Sequence, residues 1–349
     1  MKTTLAMIVK NEQANLPACL ESVRGLFDET VIVDTGSTDA TVKIAKHAGA
    51  RVLRFRWCDD FAAARNYGLD RIDADYVFRM DADDRLAPEH RKRTARILDG
   101  LDDVGPSVYM FRVTSMQHNN ERAISDEPRL WPHCNEIRFH GRVHERIQPE
   151  KVKGITPEDL RGIQHRIADV RIDHSGYETQ AQYLGKLVRN IRILEEMARE
   201  PECDPIVFFD LARTRAGIGG AHEQALAEFE QFLATMDVRH TVAGRVAHRR
   251  IVELLWELGR HQAAAIAADR GLRAYPDDQV ICAATANMLE MCGEHELARE
   301  GLLMAKRLAN TKRVEFGIAT DFIRKIDIAL AALPKTGAIS ISNNMVSVH

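Results

Sequence analysis

Apolar residues in the first hundred positions fall into short runs separated by longer amphipathic stretches. "TLAMIV" (4–9), "TVIVD" (30–34), "RVLRF" (51–55) and "YVFRM" (76–80) have the length and side chains of buried strands. Between them the apolar positions recur at the helical period. "NLPACLESVRGL" offers Asn15 as an N-cap, Pro17 in the first turn and Gly25 at the close. "STDATVKIAKHAGA" is a second helix closed by Gly49, "DFAAARNYGLDRI" a third, and a fourth begins near Pro88. This alternation predicts an α/β domain with a largely parallel sheet. From about residue 105 the pattern becomes irregular, with strand-like "SVYMFRV" and "ADVRIDH" among loops rich in His, Arg and Pro.

From about Gln180 the pattern is helical and rich in alanine. "GGAHEQALAEFEQFL", "LGRHQAAAIAADRGLRAYP" and "CGEHELAREGLLMAKRL" align on a Gly followed five positions later by an Ala. The anchors are Gly220/Ala225, Gly259/Ala264 and Gly293/Ala298. The last two copies are 34 residues apart, the tetratricopeptide period, and the longer first interval calls for an insertion at "MDVRHTVAG". Pro276 falls where such a repeat ends its second helix. Small residues let paired helices approach, and each pair buries its apolar stripe against the next. The alternative is an irregular helical bundle with a chance spacing.

Totals narrow the function. A chain of 349 residues predicts two domains, and 45% hydrophobic with 28% charged residues describes an ordinary globular protein. The net charge of −3, from 48 basic and 51 acidic side chains, gives no global basic excess for nucleic acid or an anionic membrane. Six scattered cysteines without a C-x-x-C pair argue against a zinc ribbon or a disulfide framework. No secretory signal or run of transmembrane length is visible, so the expected location is cytoplasmic.

The candidate chemistry gathers at strand ends. "YVFRMDADDRLAP" puts Asp81, Asp83 and Asp84 directly after the fourth strand and before the Pro88 helix. In open α/β sheets ligands bind at that carboxyl edge. Two carboxylates one residue apart suit Mg²⁺ or Mn²⁺, usually shared with substrate phosphates; the alternative is a solvated acidic turn. Asp34 ends the second strand, and the caps and turns that explain Ser37, Thr38 and Asp39 do not explain it. Glu12 lies at the same edge, and Arg65 and Asn66 stand where phosphates would lie. No G-x-G-x-x-G or P-loop motif follows any strand.

"IVKNE", "ETVIVDTGSTDAT", "DDFAAARN" and "MDADD", in that order, resemble the nucleotide-sugar-binding half of inverting, GT-A-fold, family-2 glycosyltransferases. The subgroup includes bacteriocin S-glycosyltransferases and lipopolysaccharide-core transferases. "RFHGRVHERI" (138–147) and "DHSGY" (173–177) extend the resemblance to about residue 178. It implies a GT-A domain over 1–178; the glycine–alanine repeat predicts an all-α tetratricopeptide-like repeat domain over 179–334, and a loose tail is expected over 335–349. It also implies that Asp34 and Glu12 contact the nucleoside and that Arg65 neutralises or orients the nucleotide. Asp81 and Asp83 form the D-x-D pair, Asp83 on the metal and Asp81 on the ribose, the metal or both. The subgroup generally carries Glu after this pair, and Asp84 replaces it here, which leaves its role open.

The resulting expectation is a metal-dependent transferase moving a hexose from a nucleotide sugar, UDP-linked by preference, with Mn²⁺ or Mg²⁺. A base must reach the acceptor from the side away from the nucleotide, and Glu145 is the candidate. His144 and His174 would orient that carboxylate or ligate the metal. For all three, the alternative is a structural hydrogen-bonding role. Arg129 and Trp131 are candidates for an acceptor pocket, with a packed aromatic as the alternative for Trp131. A repeat array presents an extended surface suited to polypeptides, which favours a peptide or protein side chain as acceptor; it could equally mediate self-association. The alternatives are a glycan acceptor, as in lipopolysaccharide or capsule synthesis, and an inactive sugar-nucleotide-binding scaffold. A nucleotidyltransferase would show a Gly- and basic-rich loop after the first strand, which "VKNEQANLP" lacks.

Overall fold

Two-residue alternation within the strands decides what lies on each face of the sheet. The computed structural model describes residues 1–103, 105–116, 122–149, 164–175, 180–235, 241–311 and 320–334. Leu5, Met7 and Val9 of β1 (Thr3–Val9), Ile32 of β2 (Glu29–Asp34) and Phe78 of β4 (Tyr76–Arg79) share one apolar cluster. There they meet Leu16 and Cys19 of α1 (Leu16–Ser22), Ala45 of α2 (Thr41–His47) and Leu98 of α4 (Pro88–Asp99). Val31 and Val77, one position out of phase, face the other way. They pack with Ala62 and Leu69 of α3 (Phe61–Leu69) and with Phe139 of β8 (Ile137–His140).

The main sheet adds β3 (Arg51–Arg54), β5 (Asp84–Leu86), β6 (Ser107–Met116), β7 (Arg122–Pro132) and β10 (Gln164–His174). Its order is β3-β2-β1-β4-β7-β6-β10-β5, and β8 pairs with β9 (Arg146–Pro149) in a separate ribbon. Strands β3, β2, β1 and β4 run parallel; β7 is antiparallel to β4 and β6, while β10 is parallel to β6 and antiparallel to β5. The irregular stretch past residue 105 is therefore the second half of one sheet. Its long strands are hard to read in sequence because β7, "RAISDEPRLWP", carries charges and two prolines. The early strands fall where the apolar runs place them, whereas the helices are shorter. α1 ends three residues before Gly25, and Asn15 makes no side-chain cap bond; its amide donates to Glu12 Oε2 at 3.0 Å.

Packing divides the chain into Met1–Pro201 and Glu202–His349, with α5 (Gln180–Ala198) in the first unit. The second unit contains α6 (Ile206–Arg215), α7 (His222–Thr235), α8 (Val242–Glu257), α9 (His261–Ala274), α10 (Gln279–Met291), α11 (His295–Thr311) and α12 (Thr320–Ala332). Helices α6/α7, α8/α9 and α10/α11 pack as successive hairpins. Their turns are equivalent: Gly220, Gly259 and Gly293 all have positive φ, and Ala225, Ala264 and Ala298 are all fully buried. Of residues 236–244, where an insertion is expected, 236–240 lie outside the described residues, as does the 335–349 tail, while Thr241 caps α8.

Two tests follow from this packing. A Cβ on Gly301 of α11 would lie 2.9 Å from Ala286 Cβ of α10. Gly301→Ala gains about 1 kcal/mol of helix propensity and costs about 1–3 kcal/mol of overpacking. The expected result is a lower thermal midpoint for the helical unit, measured by circular dichroism. His248 of α8 is buried beside Tyr275, its Nδ1 lacks a hydrogen-bond partner, and burial, reinforced by Arg270, lowers its pKa. A depressed histidine pKa means that the unfolded chain takes up the proton first. Stability is thus present above about pH 6.5 and is lost as the pH falls through the folded-state value. His248→Gln should narrow the fall in thermal midpoint on acidification relative to wild type.

Candidate active site

The carboxyl ends of β1, β2 and β4 open at one edge, and the chain leaves β4 into the Asp81–Asp84 turn. This is not an open acidic loop. Asp84 begins β5, whose antiparallel register with β10 sets Asp84 directly opposite His174. Asp84 is fully buried and both its oxygens are engaged. Oδ2 accepts from the Asp81 amide at 2.9 Å and from Arg129 at 2.8 Å, while Oδ1 lies 2.9 Å from His174 Nδ1. Burial acts to raise its pKa, but Arg129 and the His174 bond prevail and hold the carboxyl below its ordinary value. The role that the sequence left open for Asp84 is to tie the turn to β7 and β10.

Asp81 faces cations. Arg65 Nη2 lies 2.9 Å from Oδ1; Arg79 and Arg129 lie 3.5 and 3.8 Å from Oδ2. Against the cost of burial, Arg65 and then Arg79 and Arg129 hold this carboxyl well below the usual range. Asp83 is in the opposite state. His174 Nδ1 is 3.5 Å from Oδ1 and Lys186 Nζ 3.8 Å from Oδ2. Burial pushes its pKa up, His174 opposes this, and Asp81 adds to the rise. Burial acts to lower the His174 pKa, yet the Asp84 hydrogen bond and the Asp83 charge raise it. Asp83, Asp84 and His174 offer ligand atoms within 4.8 Å of one another and form a group that could hold a metal ion. Asp81 is not part of that group.

The remaining predicted residues separate by what they touch. Arg65, nearly buried on α3, spans from Asp81 to Glu145, with Nε 2.7 Å from Glu145 Oε1. One guanidinium thus brings together carboxylates from two distant parts of the chain. His144 precedes Glu145 in the β8–β9 turn, with φ of 54°. Glu12 is half-buried, and burial raises its pKa; the Asn15 bond opposes this, and the Asp83 charge reinforces it. Asp34 is buried and accepts from Ser37 N at 3.1 Å and Gly36 N at 3.4 Å, so it has the turn role that the sequence did not reveal.

Three residues belong to the scaffold instead. Asn66 does not face a phosphate position: its amide bonds both backbone groups of Phe139, at 2.9 and 3.0 Å. Trp131 is the packed aromatic, buried edge-on against Phe139. Arg129 is buried beneath the aspartates. Sequence reading missed Arg79, Arg85 and Lys186. Arg85 grips the Ala82, Asp84 and Asn15 carbonyls, and the "DADDR" string was the available signal for it.

Residues 4–150 match the model of Glycosyl transferase family 2, and this part of the chain is a family 2 glycosyltransferase domain. The glycosyltransferase SunS of the Bacillus subtilis SPbeta prophage is 29% identical over 214 residues, covering 59% of this chain and 47% of that protein. A TPR repeat-containing protein of Synechococcus elongatus is 35% identical over 146 residues, 42% of this chain and 35% of that one. The chain thus spans about half, or less, of these curated relatives. Among solved structures, S. aureus TarS is similar with a TM-score of 0.35 and 16% identity, covering 73% of this chain and 81% of that chain. No helix among the described residues is long and apolar enough to cross a membrane.

The aspartates should respond differently to mutation. Asp84→Ala leaves Arg129 buried without its closest partner and should cost about 3–5 kcal/mol. Asp83→Ala, which relieves an unfavourable burial, should cost less than about 1 kcal/mol. Urea unfolding of the metal-free protein separates them, and equal losses would contradict these roles.

Proposed function

We propose that the chain is a metal-dependent, inverting hexosyltransferase that takes its sugar from a nucleotide sugar, UDP-linked by preference. The observation that carries this reading is the Asp83–Asp84–His174 group at the carboxyl edge of a family 2 glycosyltransferase domain. Its donor chemistry fits a divalent ion. Asp83 is a carboxylate with incomplete neutralisation, and His174 has its Nδ1 against Asp84. A histidine held on one nitrogen by a carboxylate offers the other to a metal. Carboxylate with imidazole favours Mn²⁺ over Mg²⁺, which prefers oxygen alone. Asp83 and His174 would hold the ion, with Asp84 orienting His174. The bound ion supplies a positive charge that stabilises the departing nucleoside diphosphate.

The protein's own residues do the rest. Glu12 and Asp34 would receive the nucleoside at the ends of β1 and β2, and Asp81 the ribose. Glu145 would accept the acceptor's proton as the acceptor attacks the anomeric carbon from the face opposite the leaving group. Arg65 fixes the Glu145 carboxylate relative to Asp81. His144 adjoins that carboxylate in the same turn. The three helix hairpins, read as tetratricopeptide-like repeats, support a polypeptide side chain as acceptor, since stacked hairpins present an extended binding surface.

The test is nucleoside diphosphate release from a panel of nucleotide sugars with Mn²⁺, Mg²⁺ or EDTA. Mn²⁺-dependent release from one donor is expected, reduced about a hundredfold or more in Asp83→Asn. Glu145→Gln should lose transfer while still binding donor in calorimetry. Undiminished turnover by Asp83→Asn would overturn the metal assignment. Binding of a nucleotide sugar without release from any donor would leave the inactive scaffold reading, and no binding of any nucleotide sugar would overturn both.

A further inference from the structure

The turn between β8 and β9, residues 141–145, carries Glu145 as its last member. Gly141 and His144 in this turn both have positive φ, a conformation that a histidine keeps only where its surroundings impose it. Arg65 of α3 holds the Glu145 carboxylate itself. A second set of contacts grips the turn at Arg142, three residues earlier. The Arg142 carbonyl accepts from the Phe61 amide at 2.9 Å, and Arg142 Nε donates to the Asp59 carbonyl at 3.1 Å. Arg142 Nη2 donates to Glu196 of α5 at 2.9 Å.

Helix α5 lies outside the matched family 2 segment, and it closes this ring of contacts. Arg192 donates to Glu196 Oε1 at 2.8 Å and lies 2.7 Å from Asp59 Oδ1. The Trp57 indole N–H donates to the same Asp59 oxygen at 2.9 Å. The Arg189 guanidinium sits 4.8 Å from the Phe61 ring, and Ile193 and Leu194 are buried. Charges therefore alternate in the order Asp59, Arg192, Glu196, Arg142, linking the start of α3, helix α5 and the turn. Partly exposed pairs of this kind add little to global stability. A planar guanidinium with two fixed partners nevertheless sets the spacing of the elements that it joins.

We propose that α5 braces the turn that carries Glu145, with Arg192 and Glu196 as positioning residues that act through Asp59 and Arg142. This rests on the reading of Glu145 as the base. Arg65 fixes the carboxylate from one side, and α5 fixes the backbone from which that carboxylate projects. A reacting group misplaced by about 1 Å loses about a hundredfold in rate, so a contact of small energetic value can have a large catalytic one.

The double variant Arg192→Ala/Glu196→Ala of the full chain tests this, since alanine keeps the helix. Hydrogen exchange read by mass spectrometry should quicken about tenfold in peptides covering 58–66 and 138–147 and stay unchanged in β1. Mn²⁺-dependent UDP release from UDP-hexoses should show kcat about tenfold lower with the donor KM within about twofold. The thermal midpoint should fall by no more than about 3 °C. Glu196→Gln alone, which keeps an acceptor oxygen for Arg142, should lie close to wild type in both assays. Unchanged exchange in the double variant would overturn the brace and leave the Glu145 reading intact. Faster exchange with unchanged kcat would overturn the positioning role, as would equal changes in kcat and KM. Full turnover by Glu145→Gln would overturn the base reading, and no release by wild type from any UDP-hexose would overturn the catalytic role together with it.

Discussion

Asp84 is a buried carboxylate whose partners come from two other strands and a turn, and the geometry of the site depends on it. Its oxygens hold the Asp81 amide, the Arg129 guanidinium and the His174 ring. Removing a carboxylate from water is costly, and the cost is offset only when every lone pair finds a donor. Such a group tolerates little displacement. Asp81 and Asp83 project from the turn that Asp84 anchors, and His174 is set opposite by the β5–β10 register.

The charges around this anchor are distributed unequally, and the inequality carries the chemical reading. Asp81 is surrounded by Arg65, Arg79 and Arg129, whereas Asp83 has His174 and the more distant Lys186. A carboxylate already neutralised by fixed guanidiniums has little to offer a cation. One with incomplete compensation and a raised pKa retains that capacity. This distinction assigns different proposed work to two aspartates that look alike in "MDADD". It also explains how carboxylates can crowd together: most of their charge is balanced by arginines from α3, β4 and β7.

The helical unit uses a different economy. Its glycines with positive φ each stand two residues before the second helix of a hairpin, and its buried alanines allow that helix to approach. These are local, repeated solutions, so they recur visibly in the sequence. In the site, by contrast, each contact is made once, between residues far apart in the chain. Arg65 meets Glu145 across 80 positions, and Asp84 meets His174 across 90.

That contrast marks what the sequence by itself determined. Short apolar runs, helical stretches with period 3.6, glycine-alanine spacing and the order of "VKNE", "VDTGS", "FAAARN" and "MDADD" were enough for the α/β unit, the helical unit and the edge where the candidate site is sought. Those signals are local, because backbone geometry repeats over a few residues. Tertiary structure alone decided that the stretch past residue 105 completes the same sheet, that Asn66 and Trp131 serve packing, and that Asp34 closes a turn. It also decided that Asp84 is the anchor, that Arg65 joins Asp81 to Glu145 and that α5 brings Lys186 to Asp83. These outcomes depend on strand register and on which buried charge finds which partner. Both are set by pairwise fits between distant segments, which no short window of sequence contains.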